Sequence, residues 1–211
     1  MKLDTTLYFI TDSTGFEKDE FLKRVRSALE GGVTIIQLRE KNRTTRGYIE
    51  LAEAVHAITK EFNVPLIIDD RIDVMLAADC EGVHVGAEDM PVAVARKLIG
   101  KDKILGATAK TVEAASKAFN DGADYLGVGA IYPTTTKVKT VLTSTETLDA
   151  ITKAVPIPVN AIGGLNASNL GVLKGIDIAG VCAVSAIMKA ESPKKAAEDL
   201  KQAFEDIRRN A

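Results

Sequence analysis

Leu7-Tyr8-Phe9-Ile10-Thr11-Asp12-Ser13-Thr14-Gly15 is the stretch on which the fold turns. An apolar run of strand length passes into a polar turn, and that turn is not the G-x-G-x-x-G loop that opens a doubly wound dinucleotide fold. The same unit recurs down the chain: a short β-branched run, a polar turn, then apolar residues at helical spacing. Strands are predicted over 7–10, 34–38, 65–68, 82–85, 104–107, 125–128, 159–162 and 180–184. Helical spacing covers 20–30, 45–62, 72–78, 91–98, 112–120, 144–153, 167–173 and 193–208, with Thr111, Thr143 and Ser192-Pro193 placed as caps or first-turn residues. Strict alternation predicts parallel strands, and runs that are apolar throughout predict cover on both faces. An open sheet normally stops at fewer strands, so the expectation is an α/β fold, a single TIM (β/α)8 barrel domain over residues 1–211.

Composition narrows the class of ligand. The 211 residues are 46% hydrophobic, enough for one substantial core, and 27 basic against 29 acidic side chains leave a net charge of -2. Such a balance offers no global field for nucleic acid or an anionic membrane, so any phosphate must be held by a local cluster. The N-terminal residues lack a signal-peptide core and no later apolar run reaches the ~18 to 20 residues of a membrane span, so a cytoplasmic protein is expected. Cys80 and Cys182 fall in predicted buried segments and read as reduced core thiols. A homodimer is possible.

In a barrel of this kind the chemistry sits just beyond the strand ends. The second predicted strand runs into Gln37-Leu38-Arg39-Glu40-Lys41, where alternation sends Gln37, Arg39 and Lys41 to one side, converging on an anion, and Leu38 and Glu40 to the other. A solvated strand end with a surface ion pair is the plain alternative. The third strand ends in Asp69-Asp70 and the fourth is followed by Glu88-Asp89, so carboxylates from neighbouring strands can meet at the rim. Mg2+ takes a few carboxylates with substrate phosphate and water, whereas Asp70 and Asp89 could equally cap helices. The loop 129–137 offers hydroxyls and Lys137, and Gly163-Gly164 with Val184-Ser185 occupy the two loops that form a phosphate pocket in many barrels. His56 reads as a surface residue of a helix, and His84 as a packed or hydrogen-bonded core residue.

These motifs resemble those of thiamine-phosphate synthases over nearly the whole chain: Q-L-R-E-K at 37–41, D-R-I-D at 70–73, G-V-H-V-G at 82–86 with E-D-M-P at 88–91, G-A-D-Y-L-G-V-G at 122–129 and A-I-G-G at 161–164. The resemblance implies a transferase of thiamine biosynthesis that joins a pyrimidine diphosphate to a thiazole phosphate, or its carboxylated form, with Mg2+ as cofactor. It implies that the segment Gln37, Leu38, Arg39, Glu40, Lys41, with Asp69, Thr108 and Lys137, meets the pyrimidine diphosphate. Thr134, Thr135, Thr136, Gly164, Val184 and Ser185 would meet the thiazole phosphate, and Asp70 and Asp89 the metal. Arg39, Lys41, Lys137 and Thr108 would carry the catalysis. Three positions depart from the family: Asp69 replaces an asparagine, Ala87 a glutamine, and a threonine in 133–137 a frequent proline. A related thiazole tautomerase would need a histidine where Lys110 stands, a sugar-phosphate isomerase would not need the diphosphate cluster, and an idle sensor of thiamine phosphates would show no turnover.

Overall fold

The structure, a computed structural model, describes residues 3–133 and 141–209. Eight parallel strands close on themselves: β1 (Leu7–Ile10), β2 (Ile35–Leu38), β3 (Leu66–Asp69), β4 (Gly82–Val85), β5 (Ile104–Ala109), β6 (Tyr125–Gly129), β7 (Val159–Ile162) and β8 (Gly180–Ala183). Each pairs with its sequence neighbours, and β1 closes the ring on β8 with Leu7 opposite Val181 and Phe9 opposite Ala183. The helices are α1 (Lys18–Glu30), α2 (Thr45–Glu61), α3 (Ile72–Ala77), α4 (Val92–Ile99), α5 (Val112–Asn120), α6 (Thr145–Ala154), α7 (Ser185–Met188) and α8 (Pro193–Arg209). Among the described residues no helix is long and apolar enough to cross a membrane.

Successive strand residues face opposite ways, and the sequence uses both directions. Leu7, Phe9, Ile36, Leu38, Leu66 and Ile68 point outward into the continuous core beneath the helices. Tyr8, Ile10, Ile35, Ile67, Tyr125 and Cys182 point inward and fill the barrel. Polar side chains tie down the segments that lead into the strands. Asn160 Nδ2 donates to Thr5 O at 2.6 Å, and the Arg96 guanidinium reaches the carbonyls of Gly122, Gly100 and Lys103 and the Asp124 carboxylate.

Some expectations shift. β5 runs on to Ala109, which places Thr108 inside a strand, and β3 includes Asp69. The cap of α6 is Ser144, whose hydroxyl accepts from Thr147 N, not Thr143; Thr111 caps α5 as expected, accepting from Ala114 N. The stretch 167–173 yields only a short 3-10 helix, Leu170–Leu173. There the Asn166 side chain accepts from Ser168, and Asn169 bridges Asn166 N and Gly164 O, so local side-chain bonds outcompete the helix. His56 is not on the surface: it is 3% exposed, with Nε2 2.9 Å from Glu81 Oε1 and Nδ1 against Ala78 O. Both cysteines are buried and free.

Candidate active site

At the C-terminal ends of the strands a cavity of about 200 Å³ opens. Its polar walls are Gln37 and Arg39 from the end of β2, Asp69 from β3, His84 from β4, and Thr108 and Lys110 from β5. Gly164, Val184 and Ser185 line it from the other side. Alternation along β2 brings Gln37 and Arg39 to one space, as the strand reading expected, and Asp69 and Thr108 join them there.

Lys41 stands at the mouth. Its ammonium lies 2.7 Å from Asp69 Oδ2 and is hydrogen-bonded to Asp70, while Arg39 Nε is 3.7 Å from the same Asp69 oxygen. Burial works against the Lys41 charge, yet the hydrogen bonds to Asp69 and Asp70 hold its ammonium above the usual range. For Asp69 burial wins: with the neighbouring Asp70 carboxylate it pushes the acid up to about 6, against the pull of Lys41 and Arg39. Asp70 also loses water, but Lys41 and a hydrogen bond from Asp89 keep it below the usual range. Asp89 is raised by burial and by the Asp70 charge, and it accepts from Gly86 N at 3.0 Å. Two touching carboxyl groups need a proton or a cation between them. Mg2+ suits that pair, because it accepts one or two protein carboxylates and fills its shell with phosphate oxygens and water. Among the described residues no larger His, Cys, Asp or Glu cluster competes for a metal.

Asp70 reaches this position through an unusual backbone. Its φ is 59°, the left-handed region, and its N–H donates to His84 O at 2.8 Å, which turns the chain sharply as β3 ends. At the opposite wall Gly163 (φ 108°) and Gly164 (φ 65°) are required. A Cβ on Gly163 would stand 2.4 Å from that of Ala130, and one on Gly164 2.7 Å from that of Tyr132. Bare backbone thus faces the cavity there, beside Val184 and Ser185 at the start of α7.

Leu38 and Glu40 face elsewhere. The Leu38 side chain is fully buried in the outer core and its carbonyl accepts from Tyr48 Oη at 2.6 Å. Glu40 accepts from Ser13 Oγ at 2.8 Å and Arg43 Nε at 2.7 Å. Thr134, Thr135, Thr136 and Lys137 lie outside the described residues. His84 is a hydrogen-bonded interior residue as expected; burial lowers it to about 4, although Asp70 pulls the other way. Tyr8 and Tyr125, which touch the same network, went unnoticed in the sequence; their inward register on β1 and β6 was the available signal.

Known proteins resemble this chain over nearly its full length. The family described as Thiamine monophosphate synthase matches residues 7–187. The thiamine-phosphate synthase of Clostridium tetani is 47% identical over 204 residues, spanning 97% of this chain and 98% of that one. Thiamine-phosphate synthase 2 of Streptococcus pneumoniae is 52% identical over 185 residues, 88% of each chain. The solved thiamine phosphate pyrophosphorylase of Pyrococcus furiosus is 38% identical, with a TM-score of 0.86 and 98% of both chains covered.

Proposed function

We propose that this chain, which belongs to the thiamine monophosphate synthase family, performs its family's transfer at the rim where Arg39 and Lys41 meet Asp69, Asp70 and Asp89. It is a transferase of thiamine biosynthesis acting on small molecules. In the proposed reaction the bond from the pyrimidine methylene carbon to the diphosphate oxygen breaks, and its electron pair leaves with pyrophosphate. The ring-stabilised cation is then captured by the lone pair of the thiazole nitrogen, which forms the new C–N bond. No strong base is needed, so the residues serve by holding charge and position.

Arg39 can grip two diphosphate oxygens at once, whereas Lys41 acts as a point charge that must leave Asp69 or Asp70 to do so. Asp70 and Asp89 would hold Mg2+, which would supply further positive charge for the departing pyrophosphate. Thr108 meets the pyrimidine substrate inside the cavity. The bare backbone at Gly164, with Val184 and Ser185, receives the thiazole phosphate, assisted by Thr134, Thr135 and Thr136; Lys137 joins the diphosphate contacts. The observation that carries this reading is the convergence of two cations and a touching carboxylate pair on the mouth of one cavity.

The reading takes the chain as one barrel domain, places the reaction in the cytoplasm, where Cys80 and Cys182 would stay reduced, and has the protein act as a homodimer, which sedimentation would check. Purified protein is mixed with both phosphorylated substrates and Mg2+, and thiamine phosphate and pyrophosphate are followed with an EDTA control. Equal yields that vanish with EDTA are expected. No product with Mg2+ present overturns the reaction, and full turnover in EDTA overturns the metal site.

A further inference from the structure

The short helix α7 is the part of the cavity wall least able to hold itself. Its four residues, Ser185–Met188, make little more than one turn, and a single turn has no stability of its own in water. Yet Val184 and Ser185, at its start, line the cavity, so whatever fixes α7 fixes them. Packing does part of this: Ile187 and Met188 are fully buried in the outer core. Apolar contact is non-directional, however, and leaves the height and rotation of one turn to its hydrogen bonds.

Those bonds lead away from the cavity to α1. Val184 O accepts from Met188 N at 2.8 Å, and Ser185 O from Lys189 N at 3.0 Å. The carbonyls of Met188 and Ala190, where the turn ends, both accept from Arg24 Nη1, at 3.2 and 2.8 Å. Among the described residues no backbone N–H outside the helices reaches either oxygen. A guanidinium also makes stronger bonds to carbonyls than a neutral donor would.

Arg24 is set in place before any substrate arrives. Its guanidinium lies over the Phe16 ring, 4.8 Å from the centroid, and its Nε is 2.9 Å from Glu20 Oε1 one turn earlier in α1. It is not part of the cavity wall, so any effect it has on substrate passes through α7. The end of β2 has ties of its own, with Glu40 accepting from Ser13 and Arg43, and does not depend on these bonds.

We propose that Arg24 is a positioning residue: by holding the carbonyls of Met188 and Ala190 it sets the height and rotation of α7, and with them the placing of Val184 and Ser185 against the phosphate of the thiazole substrate. This rests on the proposed reaction for the identity of that phosphate.

The test measures KM for each substrate, and hydrogen exchange of the peptide spanning 184–190, in wild type, Arg24→Met and Arg24→Lys. Methionine keeps an unbranched chain and removes every donor, whereas lysine keeps one ammonium for two carbonyls. In Arg24→Met, KM for the thiazole phosphate should rise by about tenfold, KM for the pyrimidine diphosphate should stay, and the Met188 and Lys189 amides should exchange faster. Arg24→Lys should fall between Arg24→Met and wild type. A purely architectural role would lower the active fraction, and so kcat, while leaving both KM values alone. That result overturns the proposal, as do equal rises in both KM values or unchanged exchange. Should Arg24→Met fail to fold, Arg24→Lys is read directly against wild type: a rise confined to the thiazole phosphate supports the proposal and its absence overturns it. Should wild type make no thiamine phosphate, the reaction assigned above fails; hydrogen exchange and the calorimetric affinity of each variant for the thiazole phosphate still decide the inference.

Discussion

Gly106→Ala should damage the barrel out of proportion to one methyl group. The new Cβ would lie 2.2 Å from the Tyr125 hydroxyl and ring and 2.4 Å from His84 Nδ1. Non-bonded carbons settle at about 3.5 Å, so Tyr125 and His84 must separate by on the order of 1 Å. Tyr125 has no space to retreat, being 0% exposed within a closed ring of strands, and His84 can yield only toward the cavity it lines. Overpacking of this kind costs roughly 1 to 3 kcal/mol, and the lost Tyr125–His84 hydrogen bond leaves buried polar atoms at a further cost of about 1 to 3 kcal/mol. For a chain of this length each kcal/mol lowers Tm by about 2 to 4 °C. Gly171→Ala is the control: nothing lies within 4 Å of its missing Cβ, so stability should hold or rise slightly. Urea unfolding followed by circular dichroism measures both. A Gly106→Ala midpoint equal to wild type would show that the close approach does not constrain the interior, and the reasoning would fail.

Arg39→Ala, and Lys137→Ala on the sequence reading, should each slow turnover by at least ~10²-fold, the scale of losing one charge stabiliser; near-normal single-turnover rates would remove them from the mechanism. His84 gives a pH signature. Burial holds its folded value at about 4, below the ordinary 6.5, so the unfolded chain takes up the proton first. Its contribution is therefore intact above pH 6.5 and is lost as pH falls from there to about 4, on the order of 3 kcal/mol in all. Subtracting the stability of His84→Asn from wild type across that window should reveal the decline, and a flat difference would refute it. Burial pushes the Cys80 thiol up to about 12 and raises Cys182 as well. A disulfide reagent at pH 8 should leave native protein unmodified and titrate both thiols in guanidinium; rapid labelling of native protein would contradict the packing.

Periodicity carried most of the architecture, because strand alternation and helical spacing are local properties written into consecutive residues. Thus alternation along 37–41 is enough to send Gln37 and Arg39 to one space, whereas Thr108 lies past the strand expected over 104–107 and was indicated only by the family resemblance. What eluded the sequence depends on contacts between distant positions. A helical pattern shows that His56 lies on α2 but not that Glu81 waits beside it. The four residues of α7 are too few to display a period, and the Asn166 and Asn169 side-chain bonds that cut short the helix expected over 167–173 look like an ordinary polar turn. That Asp69 and Asp70 stand at the mouth beside Lys41 follows from the strand ends, and the ion pairs of Lys41 with both agree. Tyr8 and Tyr125 passed for core because their apolar rings hide a polar tip.

The pairing of β1 with β8 has a consequence for synthesis. Until Gly180–Ala183 has left the ribosome, Leu7–Ile10 has no neighbour on one side, and every nascent intermediate carries two bare sheet edges. Edges of that kind recruit strands from other chains, so a ribosome stalled late in the message would release a species prone to aggregate, whereas the finished ring has no edge to offer.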